Sequence, residues 1–339
     1  MSTVFPSVTP PGPNSTDRTC CSEVQAPMMG TTTHVVLLGE DAPPTDQVIA
    51  QLDSYESAWS RFRPGAELTR LGAGNGSPTV VSHPTAMLIE RAVWAWRRTG
   101  GRFDPTVLQA VRDAGYDRTF AELDPPTESP TVPLVVSGDL PVASDSDTAT
   151  PGCDGIEVDP RVDLVRLPSG VGIDPGGIGK GLAADLAATS AVDLGATGAM
   201  VSIGGDLRVA GEPPAEGWEI ELDHHVVAPA RINLVDGAIA TSTTLRRRWA
   251  TPHGVAHHVI DPRTGRPSSG ALVAVSVVAG EAWWAEALAT ALLVDWVDPG
   301  AEPELLELLE AAGALLTFAD GAQRAVGAFA TSFSFGGDI

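Results

Sequence analysis

The chain has 339 residues, 43% of them apolar, and a formal charge of −22 with a pI of about 4.5. That length allows one large domain or two ordinary ones around a sizeable core. The acidic field opposes binding to nucleic acid or anionic lipid, and no apolar run reaches the ~18 residues of a membrane span. An anionic small molecule stays open, because a local Lys, Arg or metal ion can reverse the sign.

Three cysteines, Cys20, Cys21 and Cys153, give neither a disulfide framework nor metal spacing. The N-terminal residues lack a basic n-region and an apolar h-region. The expected location is the cytoplasm, without membrane insertion. Residues 1–27, rich in Pro, Ser and Thr, read as a disordered arm. A strand follows over 34–38. Val48, Ile49, Leu52, Tyr55 and Trp59 keep helical spacing from about residue 46 to 59. A second helix runs from Pro84 to Arg98 and stops at Gly100-Gly101. Asp104 precedes a proline and is extended, and 106–114 reads as a short helix. Residues 122–152, dense in Pro, Ser, Thr and Asp, read as a mobile excursion within one domain of 28–335.

The pattern then predicts a hairpin of 156–158 with 164–167. Next comes Val171 to Asp185, VGIDPGGIGKGLAAD, a glycine-dense turn entering a helix over 180–194. Glycines there allow close backbone approach, and a helix N-terminus suits a phosphate. Lys180 adds a cation, facing the carboxylate of Asp174. The alternative is a plain strand-to-helix turn, since the Walker A pattern fails at Asp174 and Gly181.

Strands are expected over 199–209 (with a bulge or a close backbone approach at Gly204-Gly205), and over 218–222, 231–234, 238–241, 257–260, 273–278 and 314–318. Helices are expected over 281–294 and 303–312. Strand runs with helices inserted point to an α+β fold. On the 281–294 helix, Glu286 and Thr290 share one face. They are hard oxygen donors suited to Mg²⁺, or else a solvated Glu and a packed Thr. His253, His257 and His258 suggest a general base or a zinc cluster. Arg246-Arg247-Arg248 is either a solvated face or a device that steers an anion.

Eight stretches occur together in order: Met29-Gly30-Thr31, Ser60 to Arg63, GRFDPTV from Gly101, Ile173 to Asp185, Gly204-Gly205-Asp206, Ala240-Thr241-Ser242, HVIDPRTG from His258, and EALATA from Glu286. In this the chain resembles the FAD:protein FMN transferase (ApbE-like) family over about residues 28–320. The resemblance implies an ApbE-like α+β single domain with mixed or antiparallel sheets and packed helices. It implies cleavage of FAD and attachment of FMN, through its phosphate, to a Thr or Ser of an acceptor flavoprotein, with release of AMP. It implies Mg²⁺ held by Glu286, Thr290 and the backbone oxygen of Gly177, with Lys180 at the phosphates and His258 as the base. For the rest of FAD it points to Met29, Phe62, Arg102, Phe103, Asp104, Asp174 and Ile260, with Thr241 and Gly204-Gly205 shaping the pocket. Three positions depart from the family pattern: Glu286 stands for Asp, Pro175 for a small apolar residue, and Ser202 for Asn. An FAD pyrophosphatase, a non-catalytic FAD-binding protein and a zinc hydrolase are the rival readings.

Overall fold

The structure is a computed structural model that describes residues 21–125, 149–252, 254–296, 304–309 and 313–327. Its first two strands, β1 (Cys21–Met28) and β2 (Thr31–Leu38), form an antiparallel hairpin in full register. The arm expected over 1–27 therefore ends earlier than its composition suggests. Cys21 to Pro27 is polar because it is an edge strand, with most of its side chains in water. Of the domain expected over 28–335, residues 328–335 lie outside the described residues.

Helix α1 (Thr45–Trp59) buries Val48, Leu52, Tyr55 and Trp59, one stripe at helical spacing. The Tyr55 and Trp59 rings stack at 5.0 Å, and Trp59 Nε1 donates to Thr85 Oγ1 at 2.9 Å, which ties α1 to the later helix carrying Thr85. A short α2 (Glu67–Ala73), absent from the sequence reading, and strand β3 (Thr79–Val80) lead into α3 (His83–Arg98), which has a proline in its first turn. After a 3₁₀ turn at Pro105–Val107 and α4 (Leu108–Asp113), strands β4 (Glu157–Asp159) and β5 (Leu164–Arg166) form the expected hairpin, with β3 added to it. Residues 126–148 of the expected excursion lie outside the described residues. Its described end is anchored: Thr150 Oγ1 donates to Asp104, and Gly152 N donates to Thr106 Oγ1 at 2.9 Å.

Helix α5 (Gly179–Asp193) is followed by β6 (Gly198–Ile203) and β7 (Asp206–Gly211). The single strand expected over 199–209 is thus a hairpin. Gly204 and Gly205 have φ of 63° and 107° and form its two-residue turn. Paired glycines supply the left-handed conformation that such a turn requires. Strands β8 (Trp218–Leu222), β9 (Ala230–Leu234) and β10 (Gly237–Thr243) come next, then β11 (Arg248–Thr251) and β12 (Gly254–His257). The strand expected over 257–260 is split, because β12 ends at His257 and β13 (Ile260–Asp261) pairs separately with β14 (Arg266–Pro267). Strand β15 (Leu272–Ala279), helix α6 (Ala282–Asp295), β16 (Gly313–Phe318) and β17 (Gln323–Gly327) complete the order. The helix expected over 303–312 is a 3₁₀ segment at Glu304–Leu309 among the described residues.

One eight-stranded antiparallel sheet, ordered β1-β2-β6-β7-β10-β15-β16-β17, organises the fold. Strands β6 and β15 are buried almost throughout because both faces of the sheet are covered. Helix α5 packs on β6 and β7, and α6 packs on β10 and β15. The β8–β9 hairpin covers the other face, with Trp218, Ile220 and Ile232 against Met200, Leu207 and Ile239. Helix α6 is apolar all round, as a helix sunk in the core must be. The α+β class expected from the sequence is the class observed. None of the helices among the described residues is long and apolar enough to cross a membrane.

Two buried histidines make the core acid-sensitive. His224 bonds Thr317 Oγ1 at 2.6 Å and Ser276 Oγ at 2.7 Å. His257 Nδ1 accepts from Val259 N at 3.3 Å, which leaves Nε2–H to donate to the Ser268 carbonyl at 3.0 Å. Burial pushes both imidazoles down to about 4. A histidine depressed in the folded state contributes stability that is complete above about pH 6.5 and lost as pH falls towards 4. Chemical denaturation at pH 5 against pH 7 should show a loss of about 2 kcal/mol per histidine, and His224→Gln should remove its share of that difference.

Candidate active site

The site is built where the first turns of α5 and α6 meet. A Cβ at Gly181 would stand 2.4 Å from the Ala282 carbonyl oxygen, so only glycine permits this approach. Neither helix has a side-chain cap of its own. Each is capped by the other. Asp185, on α5, accepts from Ala282 N and Trp283 N at 2.9 Å each. Glu286, on α6, accepts from Gly181 N at 2.8 Å. The exchange satisfies amide groups that helix starts leave orphaned. The α5 N-terminus expected to face a phosphate therefore already holds a carboxylate at Gly181 N. The Asp185 carboxyl is pushed up to about 6, by burial first, against the two amides that favour its anion.

Lys180 Nζ lies between the carboxylates of Asp206 and Glu286 and bonds both. Both acids are 2% exposed. Burial pushes the ammonium down, but the two anions outweigh it and hold it above the ordinary lysine value. Burial raises the Glu286 carboxyl, and Asp206 adds to the rise while Lys180 opposes it. With all three ionised, one cation sits between two anions and a negative charge is left over. Asp206 had no role in the sequence reading. Its place follows from the Gly204-Gly205 turn, which starts β7 at this residue, and Thr241 N donates to its Oδ1 at 3.2 Å.

Thr290 lies one turn along α6 from Glu286. Its hydroxyl bonds Ser242 Oγ at 2.9 Å and lies 3.3 Å from where a Gly177 Cβ would be, with Phe103 at 3.1 Å from the same point. Thr290 lies beside Gly177 and one turn along α6 from Glu286, so hard oxygens of the kind a divalent cation such as Mg²⁺ takes are gathered here. No cluster of three or more His, Cys, Asp and Glu able to hold a metal occurs among the described residues.

The other expected residues fall into two groups. Met29 and Ile260 lie at the edges of the site: Met29 is at the β1–β2 turn with φ 51°, its N–H bonded to Glu56 at 2.8 Å, and Ile260 is buried beside Tyr116 and Trp249. Phe62 packs on Tyr116 with ring centroids 5.6 Å apart. Asp174 Oδ1 accepts from Gly176 N at 2.8 Å, and its Oδ2 lies 3.5 Å from Arg61 Nη1. The second group is committed locally. Asp104 takes Thr106 N and Oγ1 on Oδ1 and Thr150 Oγ1 on Oδ2, holding the turn that positions Phe103. Arg102 Nε donates to Asp295 Oδ1 at 2.8 Å, at the far end of α6. Arg61 is a residue the sequence reading quoted without a role. Its guanidinium is buried over the Phe62 and Tyr116 rings at 4.6 and 4.1 Å.

The three histidines separate. His253 lies outside the described residues, and both ring nitrogens of His257 are used by backbone. His258 Nδ1 is buried without a hydrogen-bond partner among the described residues. Burial, then the cations Arg247, Lys180 and Arg61, with His257 also contributing, keep its imidazole well below the usual histidine range, so it is neutral at pH 7. A zinc site on His257 would have to break two backbone bonds.

Residues 29–315 match the model of the ApbE family. The FAD:protein FMN transferase of Treponema pallidum is 30% identical over 268 residues, 74% of this chain and 70% of that protein. The enzyme of the same name from Salmonella typhimurium is 27% identical over 279 residues, 78% of this chain and 76% of that one. Among solved structures, the ApbE protein of Thermotoga maritima superposes with a TM-score of 0.78 at 24% identity, covering 93% of this chain and 99% of the other. The flavin transferase ApbE of Vibrio cholerae gives 0.72 at 23% identity, with the same coverage.

The crossed caps predict a specific loss. Asp185→Ala leaves two buried amides unsatisfied and should cost roughly 2–4 kcal/mol in equilibrium unfolding. A cost below about 1 kcal/mol would show that water or backbone replaces the carboxylate.

Proposed function

The chain belongs to the ApbE family, and from that premise we propose that it is a flavin transferase that cleaves FAD and passes the FMN half to a Thr or Ser of an acceptor protein, releasing AMP. The observation that carries this reading is His258: a neutral imidazole with an idle nitrogen, beside Lys180, Arg61 and Arg247. A base and a cationic wall are what phosphoryl-type transfer to a hydroxyl requires. In the reaction, the acceptor oxygen attacks the phosphorus of the FMN half. The bond from that phosphorus to the bridging oxygen breaks, AMP leaves with the electron pair, and the hydroxyl proton passes to His258.

Glu286, Thr290 and the Gly177 carbonyl are proposed to hold Mg²⁺, which when bound polarises the pyrophosphate. Lys180 orders the metal carboxylate and faces the phosphates. Asp206 keeps that ammonium charged. Phe62, Tyr116 and Ile260 offer apolar and ring surface to the flavin or adenine. Met29, Phe103 and Asp174 shape the same pocket, with Asp104 and Arg102 supporting it through the turn and the end of α6. Cytoplasmic location belongs to this proposal as well.

The test is purified protein with FAD and Mg²⁺, with and without EDTA, assayed for AMP and for flavin mass on a Thr/Ser-bearing flavoprotein fragment. Mg²⁺-dependent AMP with flavin on the fragment is the expected result. AMP with free FMN and no adduct would instead indicate a pyrophosphatase, and FAD bound without AMP a binding protein. His258→Asn should lower AMP release by roughly 10²–10⁴ while FAD still binds. The acid limb of kcat/KM should lie below pH 6.5, since the free protein holds His258 neutral there. Lys180→Arg keeps the charge but should lose most activity, because a planar fork does not fit between two carboxylates as a compact ammonium does.

A further inference from the structure

The three consecutive arginines Arg246, Arg247 and Arg248 do not act together. Arg246 bonds His225. Arg248 is in β11, in register with His257. Arg247 alone has a left-handed backbone, φ 47°. Its guanidinium lies over the β1–β2 turn, with Nη2 3.9 Å from where a Cβ of Gly30 would stand. Lys180 and His258 both feel its charge. Among the described residues it has no hydrogen bond and no carboxylate partner. The other arginine of the pocket differs, because Arg61 is stacked on two rings and faces Asp174.

A cation at the β1–β2 turn whose charge acts on a base and an ammonium, with no acidic partner among the described residues, is placed against local electrostatics. The backbone strain points the same way. An Arg in the left-handed region is uncommon and costs stability that Gly or Asn would not. Met29, on the other side of the contact at Gly30, shares the left-handed conformation at φ 51°.

We propose that Arg247 is a catalytic residue of this site that grips the phosphate groups of the dinucleotide substrate, and that its left-handed backbone is what aims it there. A guanidinium offers paired donors to phosphate oxygens, a geometry a lysine lacks. Bound phosphate supplies the anion that Arg247 is missing, and offsets the like charges around Lys180 and His258. The inference rests on the flavin transferase reading and adds to it the residue that holds the transferred group.

The experiment uses the full chain with Arg247→Asn, Arg247→Lys and Arg246→Asn. FAD and riboflavin affinities are measured by flavin fluorescence, and thermal midpoints without ligand. Arg247→Asn should weaken FAD roughly 10- to 100-fold and leave riboflavin unchanged, with a midpoint equal to or above that of the natural chain, since Asn relieves the strain. Arg247→Lys should recover only part of the FAD affinity, and Arg246→Asn should keep all of it. Unchanged FAD binding in Arg247→Asn overturns the assignment while the flavin reading stands. A sharp fall in the midpoint, with FAD and riboflavin weakened alike, makes Arg247 structural and also overturns it. No FAD binding by the natural chain removes the flavin reading and this inference with it.

Discussion

The exchange of carboxylates between α5 and α6 is the constraint on which the site depends. Two helices begin side by side in a buried region, each with amide groups that need acceptors. Asp185 and Glu286 resolve both ends at once. The arrangement requires backbone contact, hence Gly181, and it fixes the rotation of each helix about its axis. Once that is fixed, Lys180 must lie beside Glu286, and Thr290 must face the turn at Gly177. The negative ends of two side chains also meet the positive ends of two helix dipoles, which favours the ionised carboxylates.

The charge inventory of the chain sharpens the meaning of Lys180. Twenty of its 21 cationic residues are arginine, and Lys180 is its only lysine. The one position that departs from an otherwise complete preference for arginine lies between two buried acids. A small tetrahedral ammonium with three donors fits there, and a planar guanidinium would push the carboxylates apart. Arg61, Arg247 and Lys180 place three cations together in an otherwise acidic chain, each acting on the His258 imidazole.

How much of this was readable in advance follows the range of the interactions. Helices α1, α3 and α6 declare themselves through the spacing of Leu52, Tyr55 and Trp59, through Pro84, and through an apolar run around Leu288 and Leu292. The Gly204-Gly205 hairpin carries a recognisable signal, two residues of turn type between apolar runs, and Gly204 also makes the close approach, to Thr31, that such glycines allow. Strand β1 had almost none, since an edge strand needs few apolar side chains and its order comes from pairing with β2. The crossed caps were invisible because Asp185 and the amides it serves are 97 and 98 residues apart in sequence. The positions of Asp206 and Arg61 were hidden for the same reason, since each depends on a partner that only the fold brings into view, whereas the run Arg246-Arg247-Arg248 already allowed an anion-steering role. Asp104 joins both ranges, since its Oδ1 serves the local turn at Thr106 while its Oδ2 takes Thr150, 46 residues on.

The glutamate at 286, where the family pattern carries aspartate, can be understood from the same geometry. Its two oxygens serve different partners, Oε1 the Lys180 ammonium and Oε2 the Gly181 amide. An aspartate at this position would be shorter by one methylene, roughly 1.3 Å of reach, and would give up one of them unless α5 moved closer. Gly181 already brings the two backbones so close that a Cβ there would stand 2.4 Å from the Ala282 carbonyl oxygen, which leaves α5 little room to approach. The longer acid is therefore matched to this helix spacing. It leaves the carboxylate tied on one side to the fold and on the other to a cation, so its position is set by both helices at once.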